Sequence, residues 1–235
     1  MKLFAIADLH LDGGAGKPMD VFGEMWAGHR ERIFGSWRET VGEEDVVLIP
    51  GDISWAMHFK DALPDLFSIS ELPGTKVLSR GNHDYWWGSL SRMREALPGN
   101  MKLIQNDAVD LGDLVVCGSR GWILPSDPDF SGADRKIYER ELLRLGLSLD
   151  AADRLAKGEK PIVCMLHFPP AMKDGAATGF TELMEKNGVS LCVYGHLHGA
   201  PAWDVGIKGE LNGIRYKLCS ADSLGFSPAE IALLR

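Results

Sequence analysis

Five short apolar runs in this chain end in the same way, and that repetition narrows its possible folds more than any other feature. Each run reads as a buried strand. Each gives way at once to aspartate, asparagine or histidine, with a glycine at the turn in three of the five cases. The fullest example is Lys76-Val77-Leu78-Ser79, followed by Arg80-Gly81-Asn82-His83-Asp84. A glycine lets the backbone turn there, so an amide, an imidazole and a carboxylate can stand together at one edge of a sheet. Taken singly, Asn-His-Asp is an ordinary polar loop. Five such endings in one chain argue for a shared site.

Strand character recurs at residues 2–7, 45–49, 76–79, 101–105, 114–118, 161–166, 189–194, 214–219 and 229–233. Several of these runs are apolar almost throughout, as strands buried on both faces are. Helical spacing predicts helices over 24–41, 60–70, 89–97, 134–157 and 181–186. Gly28 and Gly35 weaken the first, Pro64 belongs in the first turn of the second, and Gly146 predicts a break of the longest into two. The alternation predicts an α/β layer architecture. No repeat, linker or low-complexity tract divides the 235 residues, so one domain is expected. Residues 11–18 are glycine-rich but lack a closing Gly-Lys-Ser/Thr, which excludes a phosphate-cradling P-loop. Residues 124–132, rich in proline, aspartate and serine, form either a lid or a plain connection.

Composition removes several function classes. The net charge is −8 and the basic residues form no dense stripe, so no extended nucleic-acid-binding surface is expected. No apolar run approaches the roughly 18 residues that a membrane span requires, so membrane insertion is not expected. Asp8 cuts off the opening apolar run too early for a signal peptide, which points to the cytoplasm. Cys117, Cys164, Cys192 and Cys219 are isolated among apolar residues, without a Cys-x-x-Cys pair, and read as buried free thiols.

Collected in order, the polar strand ends are Asp8, His10, Asp52, Asn82, His83, His167, His196 and His198, and they include five of the seven histidines. In an extended segment, residues two apart project to one side, so Asp8 and His10 can grip one ion together. Nitrogen and carboxylate donors without thiolates suit manganese, iron or zinc, and eight donors exceed one coordination shell. Two ions are therefore expected. At a separation of about 3.5–4 Å they need a bridging anion, which a carboxylate can supply. A structural zinc site fits poorly, because it closes on four ligands that usually include cysteine.

The order Asp-x-His, Gly-Asp, Gly-Asn-His-Asp, a lone His, then Gly-His-x-His resembles the calcineurin-like metallophosphoesterase family, over nearly the whole stretch from Asp8 to His198. The resemblance implies a sandwich of two mixed β-sheets flanked by helices, with the site at the strand ends. It implies that Asp8, His10 and His198 hold one metal, that Asn82, His167 and His196 hold the second, and that Asp52 bridges them. His83 would face the substrate as a catalytic group, with Asp84 orienting it and raising its pKa. Many members carry an acidic residue shortly after Gly-Asp. Here the sequence reads Ile53-Ser54-Trp55, which leaves the substrate subfamily open.

The expected activity is hydrolysis of a small phosphate ester by a hydroxide held between two metal ions, with a phosphodiester favoured over a monoester or a phosphoprotein. A catalytically quiet protein-binding scaffold of the same fold is the alternative from another class, and the full ligand set argues against it. Asn82 is also expected to touch the substrate, and Arg120 is the candidate cation for its non-bridging oxygens. Trp86, Trp87 and Trp122 either wall the pocket or belong to the core.

Overall fold

In a computed structural model of the chain, which describes residues 1–12, 16–17 and 19–232, the apolar runs pair into two mixed sheets. The first contains β1 (Leu3–Ala5), β2 (Val46–Pro50), β3 (Thr75–Ser79) and β4 (Met101–Leu103), all parallel, with β11 (Ala229–Glu230) antiparallel on the β1 edge. The second has the order β5-β6-β7-β8-β10-β9: β5 (Ala108–Asp110), β6 (Val115–Ser119), β7 (Ile162–Leu166), β8 (Val189–Tyr194), β9 (Gly209–Leu211) and β10 (Ile214–Leu218). Its four central strands are parallel and both edges are antiparallel.

Period-two alternation explains why these runs lack polar residues. Val46 and Leu48 of β2 face a layer between the sheets, where they meet Val163, Met165, Leu191 and Val193. Val47 and Ile49 face outward and share a second layer with Ile33 and Trp37 of α1 (His29–Thr40), with Leu66 and Ile69 of α2 (Phe59–Ser70) and with Met93 of α3 (Leu90–Ala96). On the other sheet, Cys164, Leu166, Cys192 and Tyr194 lie under Leu145 and Leu149 of α4 (Gly132–Ala156) and under Phe180 and Met184 of α5 (Gly179–Lys186). A strand covered on both sides must be apolar on both sides, since each buried aliphatic side chain contributes about 1.5–3 kcal/mol and each unpaired polar one would remove a similar amount. The layered architecture and the four buried free thiols match the sequence reading.

Lys76 departs from that rule. Its side chain is buried outward of β3, and its ammonium donates to the carbonyls of Ser70, Leu72 and Gly74, at and just beyond the end of α2. Those carbonyls have no helical partners, so the lysine satisfies them and ties α2 to β3.

Several element boundaries differ from expectation. The helix placed at 24–41 begins only at His29, because Gly28 takes a left-handed conformation and separates α1 from a 3-10 turn at Glu24–Trp26. Pro64 lies inside α2, in its second turn. The helix expected to break at Gly146 runs unbroken from Gly132 to Ala156. A glycine costs about 1 kcal/mol in a helix interior. Burial of Leu145, Ser148, Leu149 and Ala152 around it outweighs that cost, as does the capping box in which Ser131 and Asp134 close the N-terminus. The edge strands β5 and β9 and the single-turn α6 (Ala200–Trp203) were not expected. β11 is shorter than the 229–233 strand, whose last residue lies outside the described residues, as do 13–15 and 18 of the glycine-rich stretch. Among the described residues, no helix is long and apolar enough to cross a membrane.

Candidate metal centre

The polar groups that end β1, β2, β3, β7 and β8 meet at one place, at the C-terminal ends of strands from both sheets. Glycine makes the approach possible. A Cβ on Gly81 would stand 2.1 Å from a carboxylate oxygen of Asp52, and one on Gly195 would stand 2.4 Å from a carboxylate oxygen of Asp8. Neither space admits a side chain, so these glycines are the price of bringing the strand ends into contact. The candidate ligand residues carry strain of their own. Asp8, His10, Asp52 and His196 all have positive φ, between 43° and 73°. Such a conformation costs a non-glycine residue about 1–2 kcal/mol, least for Asp, Asn and His. Hydrogen bonds hold it in place: Asp8 N–H donates to the Gly51 carbonyl, His10 N–H to that of Asp52, and His196 N–H to the Asp8 carboxylate, each at 3.0 Å.

Two groups of donors result. Asp8, His10 and His198 offer ligand atoms all within 4.8 Å of one another, and so do Asp8, Asp52 and His167. Asp52 Oδ2 stands 3.4 Å from His167 Nε2 and 3.8 Å from His10 Nε2, between the two groups. Asn82 Oδ1 lies 2.7 Å from His167 Nε2 and 3.1 Å from His196 Nδ1. All seven residues expected as ligands are therefore neighbours.

The electrostatics fit cations. His167 Nδ1 donates to the Pro50 carbonyl at 3.0 Å, so its Nε2 has only the oxygens of Asn82 and Asp52 to face. Two oxygens around one ring nitrogen require positive charge between them, from a proton or a metal ion. Burial alone would lower the His167 pKa, but Asp52 and Asp8 overcome it and push it up to about 9. Burial lowers His10 and His196 to about 3, which keeps their lone pairs free at neutral pH, and raises Asp8 to about 6. Burial opposes ionisation of Asp52 too, yet His167, His10 and the N–H of His83 hold its carboxyl well below the usual range. His10 Nε2 and His198 Nε2 face each other at 3.3 Å. This set of imidazoles, carboxylates and one amide, with no thiolate, fits manganese, iron or zinc.

A family model described as calcineurin-like phosphoesterase matches residues 1–200. The chain belongs to that family. No curated protein sequence matches it. Among solved structures, a protein of unknown function from Aquifex aeolicus, AQ665, is similar in fold, with a TM-score of 0.52 at 17% identity, over 97% of this chain and 95% of that one. The order of candidate ligands along the chain is thus accompanied by the family's sandwich of two mixed sheets.

Within the phosphoesterase site, three expectations need correction. Asp84 does not orient His83. Its fully buried carboxylate accepts the backbone N–H groups of Gly81 (2.7 Å), Ile53 (2.8 Å), Asp52 (2.9 Å) and Ser54 (3.3 Å), and the indole N–H of Trp86 (3.0 Å). It builds the turn that carries Asp52. His83 Nδ1 is buried without a partner, and burial lowers the His83 pKa instead of raising it. Arg120 also faces elsewhere. Its guanidinium lies 4.4 Å from the Trp122 ring and 3.4 Å from Glu141, while only its carbonyl serves the site, accepting from His167 N–H at 3.0 Å. Trp86 and Trp87 are core, and Trp122 packs on Phe168. None of the residues 119–133 lines the cavity over the donors.

Sequence reasoning missed what surrounds the ligands. Asp222, in a 3-10 turn at Ala221–Leu224, receives His198 Nδ1 at 3.1 Å and the Gly199 N–H at 2.8 Å. Trp55 stacks on the His10 ring at 4.8 Å, and Trp26 meets His10 and His198 edge-on. The ammonium of Lys17, 5.1 Å from the centre of the Trp55 ring, is the lysine close enough to His83 to lower its pKa. Only Trp26's place in the amphipathic stretch 24–41 hinted at burial; nothing local to Trp55 or Asp222 marked them.

Proposed function

We propose that residues 1–235 form one cytoplasmic phosphoesterase domain that binds two metal ions and hydrolyses a phosphodiester of a small organic molecule. The observation that carries this reading is the pair of donor groups sharing Asp8, with Asp52 between them, at the floor of a cavity of about 390 Å³ that His83 also lines. Asp8, His10 and His198 would hold one ion, Asn82, His167 and His196 the other, and Asp52 both. Bound there, the ions supply Lewis-acid charge for the phosphoryl oxygens and an acidified water. The protein's own groups do the rest. His83 is positioned to donate a hydrogen bond to a phosphoryl or leaving-group oxygen. Asp84 fixes the Asp52 turn, and Asp222 fixes the ring and tautomer of His198. The cavity is compact, which suits a diester of modest size. The free thiols fit a reducing compartment.

Protein loaded with Mn²⁺ is expected to hydrolyse bis(p-nitrophenyl) phosphate faster than p-nitrophenyl phosphate, and to stop in EDTA. A faster monoester reaction would remove the diester assignment; no turnover of either substrate by protein shown to hold two metals would remove the enzyme. The His83→Asn variant should lose roughly 10²–10³-fold in kcat with its metal content unchanged. Loss of both ions from that variant would make His83 a ligand instead.

Asp222→Ala should weaken metal binding by about 10–100-fold, as loss of a carboxylate behind a ligating imidazole does. Chelator competition measures this directly. Unaltered affinity would reduce Asp222 to a fastening of the 199–203 turn.

A further inference from the structure

The donor cluster occupies only one side of its cavity. The other side is apolar: Met19, Phe22, Met25, Trp26 and Trp55 line it. Two of them stand far out in solvent, with Phe22 66% and Met25 41% exposed, on the paired 3-10 turns Met19–Phe22 and Glu24–Trp26. Exposure of a phenylalanine and a methionine beside a polar floor is costly in water unless something covers them. Their position says what does. The wall is continuous with His10, His198 and His83, so a molecule whose phosphoryl group sits over the donors must lay its next atoms against it. Among the described residues lining the cavity there is no lysine or arginine. Lys17 lines the neighbouring groove, which shares Met19 and Trp26 with the cavity, and its ammonium stands 5.1 Å from the Trp55 ring. A substrate with further phosphates or carboxylates would therefore find no counter-charge along this wall, with Lys17 at its Trp55 edge as the nearest lysine, whereas an apolar one would meet five matching side chains. Methionine adapts its shape to its contact, and tryptophan offers a flat face, so chains and rings both fit.

We propose that the substrate's non-reacting ester group is apolar and bulky, and that Phe22, Met25, Trp26 and Trp55 select it. The inference rests on the phosphoesterase reading and adds the substrate class.

The test uses phosphonates, which bind without reacting: methyl-, hexyl-, phenyl-, 2-naphthyl- and 2-carboxyethylphosphonate, titrated calorimetrically into the Mn²⁺-loaded protein and used as inhibitors of diester hydrolysis. Affinity is expected to rise by on the order of 30-fold from methyl to hexyl or phenyl, at roughly twofold or more per buried carbon. The carboxyethyl compound should bind no better than methyl. The Phe22→Ser/Met25→Ser double variant, altered at exposed positions, should keep its metal content and lose the gradient. A steeper rise for hexyl assigns an aliphatic group and a steeper rise for the aryl pair an aromatic one. A flat series in a protein that hydrolyses the diester overturns the apolar wall and leaves the phosphoesterase standing. Failure of every phosphonate to bind, together with no turnover, overturns both.

Discussion

Asp52→Asn is expected to release both metal ions and to lower turnover by on the order of 10³-fold or more, equivalent to about 4 kcal/mol of transition-state stabilisation. The substitution keeps the shape of the side chain and removes only its charge and one acceptor. Asp52 Oδ2 lies between His167 Nε2 at 3.4 Å and His10 Nε2 at 3.8 Å, while Oδ1 accepts the His83 N–H at 2.8 Å. An amide placed there either turns an NH₂ toward the ring nitrogens or abandons the His83 N–H. In both cases the anion that offsets two neighbouring divalent charges is gone. Metal analysis by mass spectrometry, beside kcat on a chromogenic diester, reads the outcome. A variant that retained two ions per chain and normal turnover would exclude Asp52 as the bridge.

A second large effect is structural. Asp84→Ala should destabilise the metal-free, EDTA-treated protein by on the order of 4 kcal/mol, since it strands five N–H donors around a buried void. For a chain of this size that corresponds to a fall in Tm of about 10 °C. Four of the donors are backbone groups on the Gly81 and Asp52–Ser54 turns, so no neighbouring side chain can rotate to replace the carboxylate. Asp84→Asn should fall between, because its amide keeps the volume and one acceptor. Working without metal separates this effect from ligand loss. A Tm within 2 °C of the parent would mean that water replaces the carboxylate at little cost.

The candidate ligands, and their convergence at one place, were readable in the sequence for a local reason. A strand that must be apolar on both faces ends visibly where polar residues begin, and the glycine that allows close approach sits beside the ligand in the chain, as at Gly51-Asp52, Gly81-Asn82 and Gly195-His196. Side-chain direction beyond a strand end was not readable, because a turn has no period. Arg120 stands one residue beyond β6 and Asn82 three beyond β3, yet only Asn82 turns its side chain to the site, and the Arg120 guanidinium points to Glu141 and Trp122. His83 and Asp84 are adjacent in sequence, but one lines the cavity and the other lies beneath the turn. Asp222 and Trp26 reach the site through packing between distant segments, which no short pattern records. Gly146 marks the opposite limit: a local helix-breaking signal lost to the burial of its neighbours.

The donors are drawn from residue 8 to residue 198, with Asp222 behind the last of them, and they come from both sheets. During synthesis the first sheet's Asp8, His10, Asp52 and Asn82 emerge long before the second sheet's histidines exist. On the proposed ligand assignment, synthesis must pass residue 198 before either cation pocket can close, which would make cation loading a late checkpoint in maturation and leave a product truncated before His196 without either site.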